Sequence, residues 1–416
     1  CRRTLTTLIM ILVAFGSSAV AQEPTPAIRA RRAVTSASRA NTEQPPTPAA
    51  ESEPTPMPTA QAETQQTPKA KPPKTPRTPR AETPEAAAPE AGPAVQVEPV
   101  VVKLARGGRL AVTTRIGNIK VVGWDRDTIE ATASGESGPR QLKAEVTGDP
   151  SRARVFLYVP AASRRYDHEI EIHVNLPRYA EVETLESQSG DIEVGGLDAG
   201  VAISSGSGNV KVHSVGSLKI GSRSGDVDAR DIKGEVTGRS MQGNIVVGNV
   251  GGRVDVSATN GDVEVRNAEG DVRATSATGD IDVRCAKGRA EVSSASGSIT
   301  LIGVGSDTEA STASGDVVFK SAIRAGGTYR LKSISGEVEM TLQPEPPGFT
   351  ATLITYSGEI DTAFPLKLDS GLPGGEKNRR VIGRYGDGQT KITLDSFSGT
   401  VRIVKGAAAA LKDCNK

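Results

Sequence analysis

Aromatic residues are scarce in this chain: six Phe, six Tyr and one Trp among 416 residues. A broad core filled by aromatic side chains is therefore excluded. Histidine is nearly absent, with only His168, His173 and His213. His168 and His173 lie five residues apart around one predicted strand and so point to opposite faces. No His/Cys spacing of a zinc site occurs, and no glycine-rich loop leads into the Lys-Ser/Thr pair of a phosphate cradle. No cofactor and no metal site is expected. Three cysteines make no disulfide framework; Cys1 falls in a segment expected to be removed, and spacing does not say whether Cys285 and Cys414 pair. The formal charge of +1 lacks the basic surplus of a nucleic-acid-binding chain. Past the N-terminus, no apolar run is long enough to span a bilayer as a helix.

What the chain does have is glycine on a ruler. Gly225, Gly234, Gly243, Gly252, Gly261, Gly270, Gly279, Gly288 and Gly297 follow one another at nine-residue intervals. Alternate members open a fuller motif: Ser224-Gly225-Asp226-Val227, Gln242-Gly243-Asn244-Ile245, Asn260-Gly261-Asp262-Val263 and Thr278-Gly279-Asp280-Ile281. The period is thus 18 residues in two halves, the mark of a solenoid whose repeats pack on their neighbours. Within 261–278, Val263 and Val265 alternate with Asp262 and Glu264, so the valines share one face of a strand. Residues 266–270 read as a turn. Val272, Ala274 and Ser276 then alternate with Arg273 and Thr275 on a second strand. Each coil supplies two strands around a narrow interior, about 4.8 Å from the next coil. Apolar columns run through Ile245, Val263 and Ile281 and through Val247, Val265 and Val283. A column of small residues, among them Ser240, Ala258, Ser276 and Ser294, stands opposite. The fold class expected is all-β: a parallel β-solenoid (β-helix) with 18-residue coils, preceded by an irregular β cap and a disordered Pro-rich linker.

The rest of the chain arranges itself around that array. Residues 1–21 read as a signal peptide, with Arg2 and Arg3 before the apolar Leu8–Phe15 and Ala19-Val20-Ala21 at the cleavage point. Residues 22–97 are Pro, Ala, Thr, Glu and Lys/Arg with few large apolar side chains, too few to offset chain entropy. This linker reads as a spacer that reaches roughly 235 Å at about 3.1 Å per residue. Residues 98–186 read as an N-terminal β cap, with strands near 100–102, 110–112, 119–122, 128–133, 141–146, 154–159 and 169–174. The repeat region, 187–405, continues through stretched coils at Ser335-Gly336-Glu337-Val338 and Ser357-Gly358-Glu359-Ile360. A loop at 365–384 follows, and Ser398-Gly399-Thr400-Val401 closes the array. About twelve coils make a rod of roughly 60 Å. Residues 406–416 form a tail.

These coils carry a resemblance. The repeated Ser-Gly-Asp-Val units, the opening Gly117-Asn118-Ile119-Lys120-Val121 with Gly123-Trp124-Asp125-Arg126-Asp127, and the ending Gly386-Asp387-Gly388 to Ser398-Gly399 resemble the bacterial putative-adhesin family of β-solenoid domains, a family of unknown biochemistry. The resemblance spans about 100–403. It implies an exported or membrane-tethered envelope protein and brings no catalytic residues with it.

The residues themselves point away from catalysis. A serine that recurs in nearly every coil is there for stacking, and a nucleophile needs a base beside it. The nine-residue spacing of calcium-binding β-rolls comes with a Gly-Gly-x-Gly-x-Asp turn, which these coils lack. Tyr356 and Phe397 occupy equivalent positions two residues before their repeat glycines and read as a stacked column. Acidic residues recur on the outward positions of the first strand, and Lys219, Arg253, Arg273 and Arg289 on the second. Two carboxylates about 5 Å apart in water repel by roughly 0.8 kcal/mol, and Asn209, Asn244 and Ser298 dilute the acidic column. The candidate site is therefore an acidic binding face at Asp226, Asp228, Asp262, Glu264, Asp280 and Asp282, suited to weak divalent-cation binding or side-by-side self-association. The function expected is an exported, non-catalytic, adhesin-like binding or structural module of the cell envelope, whether periplasmic, cell-surface or secreted. Its expected partner is an envelope polymer, a glycan or a surface protein, with no nucleic acid and no membrane span after signal cleavage. The alternatives are a polymer-forming envelope scaffold and a polysaccharide-active β-helix enzyme.

Overall fold

The computed structural model describes residues 98–135, 138–148, 153–160, 170–368, 379–406 and 414. The expected signal peptide, the Pro-rich linker, His168 and most of the C-terminal tail lie outside the described residues. The described chain is all-β, a solenoid of two sixteen-stranded sheets. In each sheet three outer strands join by antiparallel pairing, and the remaining thirteen run parallel. Each parallel ladder measures roughly 58 Å at about 4.8 Å per step.

The register is that of the 18-residue period. Val263 pairs with Ile281 and Val265 with Val283 in the first sheet; Ala274 pairs with Val292 and Ser276 with Ser294 in the second. Both expected apolar columns are buried, and each fully buried Val or Ile contributes on the order of 1.5–3 kcal/mol. The small column is buried as well, and its hydroxyls stitch coils together. Ser276, Ser294 and Thr312 donate to the carbonyls of Gly261, Gly279 and Gly297 in the preceding coil, at 3.2, 3.2 and 2.9 Å. Ser222 and Ser240 are buried in the same column without such a bond.

A third inward column was not expected. The strand of 263–268 does not end at Val265. Asn267 takes a left-handed backbone (φ 54°) that swings Ala268 into the interior. Ser214, Asp231, Asn249 and Cys285 do the same, at φ 55–59°, and bury Val215, Ile232, Val250 and Ala286. Asn and Asp tolerate this conformation better than most residues. They also ladder along the axis, Asn267 donating to Asn249 at 2.9 Å and Asn249 to Asp231 at 2.8 Å.

Cys285 ends that polar ladder and pairs with Cys414, 129 residues away, at an S–S distance of 2.11 Å. Gly303, next in the left-handed column at φ 67°, makes room for the bridge. An added Cβ there would lie 2.1 Å from Cys414 Sγ.

The two ends depart from sequential stacking. The coil of Arg109–Ile116 and Asn118–Trp124 sits between the later coil that holds Arg154–Tyr158 and Ile170–Pro177 and the coil of 181–195. Within 98–186, then, two coils of the ladder already stand. At the other end the order expected from sequence is overturned. The coil of Thr390–Ser396 and Val401–Lys405 does not close the array but inserts between the coils of 328–342 and 349–362. The segment expected as a loop at 365–384 contains the strands Lys367–Leu368 and Arg379–Tyr385, the latter antiparallel to Phe349–Thr355. Antiparallel strands thereby cover edges that would otherwise template further pairing.

Two predictions test this architecture. Gly261 sits at φ +142°, and a Cβ on it would lie 2.3 Å from the carbonyl oxygen of Gly243. A Cβ on Gly221 would meet nothing within 4 Å. Urea denaturation is expected to show a loss of about 3 kcal/mol for Gly261→Ala and a change within about 1 kcal/mol for Gly221→Ala. Cys414→Ser is expected to cost about 2–4 kcal/mol, and a reductant should destabilise the native chain but not this variant.

Candidate functional site

The six acidic residues singled out from sequence all lie along the first sheet, in two rows with different partners. Asp226, Asp262 and Asp280 follow motif glycines and bind backbone. The Asn244 N–H donates to Asp226 at 2.8 Å, the Asp280 N–H to Asp262 at 2.9 Å and the Ser298 N–H to Asp280 at 2.7 Å. Asn209 and Asn244 serve as links in the same run, accepting from the Asp226 and Asp262 N–H groups at 3.1 and 2.8 Å. Asn and Asp interchange here because either side-chain oxygen accepts the bond. The second row, Asp228, Glu264 and Asp282, faces outward, and each carboxylate pairs with an arginine two residues on. Arg230 reaches Asp228 at 2.8 Å, Arg284 reaches Asp282 at 2.7 Å, and Arg266 pairs with Glu264. The bond and charge of Asp282 push the Arg284 guanidinium above its ordinary pKa. The first-sheet face is therefore mixed in sign rather than simply negative. Among the described residues, no group of three His, Cys, Asp or Glu side chains is placed to hold a metal ion.

The outer face of the second sheet is built differently. The strand Val272–Thr278 turns Val272, Ala274 and Ser276 inward, leaving Arg273, Thr275 and Ala277 outside. The same positions in the next coils hold Ser293 with Ala295 and Ser311 with Ala313. These short side chains leave an open trough of about 680 Å³. Lys332 and Ile334 bound it and also line the next hollow, of about 370 Å³, together with Tyr356 and Phe397. Those two rings stack in parallel, with centroids 4.8 Å apart and planes 2° from coplanar, and each is about half exposed (48% and 54%). At the other end the trough abuts a hollow of about 830 Å³ floored by Gly206 and Gly221, flanked by Arg223, Arg239 and Met241, with Glu186 on its far side. A small-residue channel thus runs along the sheet from a basic end to an aromatic end.

The family assignment rests on sequence. The Toastrack DUF4097 family model matches residues 109–302 and 286–404. The chain belongs to the Toastrack family. Among solved structures it is similar to a putative cell adhesion protein from Clostridium sporogenes ATCC 15579, at 10% identity over 74% of this chain and 99% of that one, with a TM-score of 0.19. It is also similar to a putative adhesin from Bacteroides fragilis NCTC 9343, at 12% identity over 75% and 99%, with a TM-score of 0.25. No curated protein matches the chain.

In this Toastrack domain, Arg223 and Arg239 escaped the sequence reading, which took its second-strand cations from Lys219, Arg253, Arg273 and Arg289. A signal for the channel was nonetheless present. The position two residues before each motif glycine reads Arg223, Met241, Thr259, Ala277, Ala295, Ala313, Ile334, Phe397 and Tyr356 in spatial order. Two substitutions separate structural from surface carboxylates. Asp262→Ala, which strips the Asp280 N–H of its acceptor, is expected to cost about 1 kcal/mol in urea denaturation. Glu264→Gln, which breaks an exposed ion pair, is expected to stay below about 1 kcal/mol.

Proposed function

We propose that this Toastrack solenoid is an exported, non-catalytic binding module of the bacterial cell envelope, adhesin-like in that it holds an extended polymer along one face. The observation that carries the reading is the channel on the second sheet. Its floor of Ser, Thr and Ala stays open over several coils and ends on the stacked Tyr356 and Phe397. Saccharide rings combine apolar C–H faces with hydroxyls, and such a channel offers apolar edges beside hydroxyl donors and acceptors. Repetition at a fixed step supports multivalent contact, in which many weak contacts add to useful avidity. The first sheet is a weaker candidate, because its carboxylates already serve backbone N–H groups and arginines. Export is supported by the Cys285–Cys414 bridge, which persists in oxidising compartments. A non-enzymatic role is supported by the serine column, most of whose described hydroxyls bond to backbone carbonyls rather than to a base.

A glycan array probed with the full chain tests the proposal. Wild-type protein is expected to retain a restricted set of extended glycans. Tyr356→Ala with Phe397→Ala should weaken retention at least tenfold without moving the unfolding midpoint by more than a few degrees. Glu264→Lys should leave retention unchanged. Equal retention by the ring variant would remove the channel as the binding surface.

A further inference from the structure

The basic end of the channel differs from the arginines of the coils that follow it, through Arg330. Outward or rim arginines of those coils have carboxylates close by. Arg253 lies 3.7 Å from Asp255, Arg273 lies 3.7 Å from Glu291, and Arg289 and Arg330 each lie 3.5 Å from Glu309. Among the described residues, Lys219, Arg223 and Arg239 have no carboxylate within 4 Å, although all three are exposed. Their backbone positions surround one residue. Lys219 and Arg223 lie two residues to either side of Gly221 on the same strand, and Arg239 is its register partner on the next. All three Cα atoms therefore stand within about 7 Å of the Gly221 Cα. Gly221 contributes no side chain, and a Cβ there would meet nothing within 4 Å. On the other side Gly221 pairs with Ser204, a neutral residue. Glu186, the register partner of Ser204, lies two strands from Gly221, about 10 Å by backbone, and lines the far side of the same hollow. Glu235 is exposed on the rim, and Glu183 is paired with Arg154.

We infer that the hollow over Gly221 is an anion-binding site, and that the polymer held along the channel is an anionic glycan whose carboxylate or phosphodiester groups dock there. This rests on the channel reading above and adds the chemical class of the ligand. Three like charges around an empty floor repel one another, and a bound anion removes that repulsion. Two guanidinium groups can each present paired N–H donors to a carboxylate or phosphate oxygen pair. The small hydroxyl-bearing floor that leads away from the site suits a sugar backbone. The near-neutral chain, with a local three-cation cluster at this end of the channel, does not present the extended basic track that a nucleic-acid backbone requires.

The experiment is a titration of the full chain against polygalacturonate, poly(glycerol phosphate), uncharged dextran and duplex DNA at 0.15 M salt. Wild-type protein is expected to bind one of the two anionic polymers at least tenfold tighter than dextran, and whichever polymer binds identifies carboxylate or phosphate as the docking group. Arg223→Gln with Arg239→Gln should weaken that binding at least tenfold. Gly221→Asp should do the same, while Gly221→Asn, of the same size without the charge, stays within threefold and shows that the fold is kept. Raising salt to 1 M shortens the screening length from about 8 Å to about 3 Å and should weaken wild type more than the double variant. Anionic binding unchanged in Gly221→Asp and the double variant overturns the site. Dextran bound as tightly as the anionic polymers overturns the inference but leaves the channel reading standing. Binding of none of the glycans overturns both, and DNA bound tighter than either anionic polymer overturns the inference in favour of a nucleic acid.

Discussion

Backbone approaches backbone at the glycine corners of this solenoid, and the rest of the structure depends on that approach. The motif glycines stack so closely that a Cβ on any of Gly208, Gly225, Gly243 or Gly261 would sit 2.3 Å from the carbonyl oxygen of the glycine before it. Their left-handed backbone, at φ 112–142° for these four, adds a second reason for glycine. The alternate glycines meet only the first demand. Gly270 is not in the left-handed region, yet a Cβ on it would lie 2.6 Å from the Gly252 carbonyl. One nine-residue ruler thus serves two physical requirements.

The tight corners fix a narrow cross-section, and the cross-section selects what lies inside. From residue 180 to residue 318 the chain contains no Phe, Trp or Tyr. Val, Ile, Leu, Ala, Ser and Thr fill the interior there. Aromatic side chains enter where the regular ladder ends. Phe319 packs edge-on against Tyr329, and Phe349, Phe364 and Tyr385 cluster at the C-terminal end. The hydroxyl column and the glycine carbonyls solve one problem together, since a buried hydroxyl and a corner carbonyl both need partners. The Asp/Asn run after the motif glycines does the same for N–H groups at the surface corner.

These internal demands leave the two outer faces with unequal freedom. Carboxylates on the first sheet are consumed by corners and neighbouring arginines. On the second sheet such ion pairs join Arg273 to Glu291 and Arg330 to Glu309, but the small outward residues of the trough carry no charge to pair, so their identity can follow a ligand. There the chain places small residues in the middle, stacked rings at one end and unpaired cations at the other. A face with its bonding duties discharged elsewhere is where a repeat protein can vary without loss of fold.

The sequence by itself determined the class of fold, the 18-residue register, both expected apolar columns and the small column, because each depends on contacts that repeat at a fixed interval along the chain. It also placed Tyr356 and Phe397 at equivalent positions, which is why they stack. The third inward column was harder to read, since it depends on a left-handed residue at Asn267 and its equivalents that breaks strict alternation. Only the tertiary structure decided the order of coils at the ends, where coil 390–405 slips inside coil 349–362. Equivalent coils present nearly the same edge, so local pattern does not say which neighbour an edge will choose. The Cys285–Cys414 bridge, the partners of the six acidic residues and the cluster around Gly221 were settled in the same way. Each depends on which side chains from separate coils, or from the distant tail, meet across the ladder.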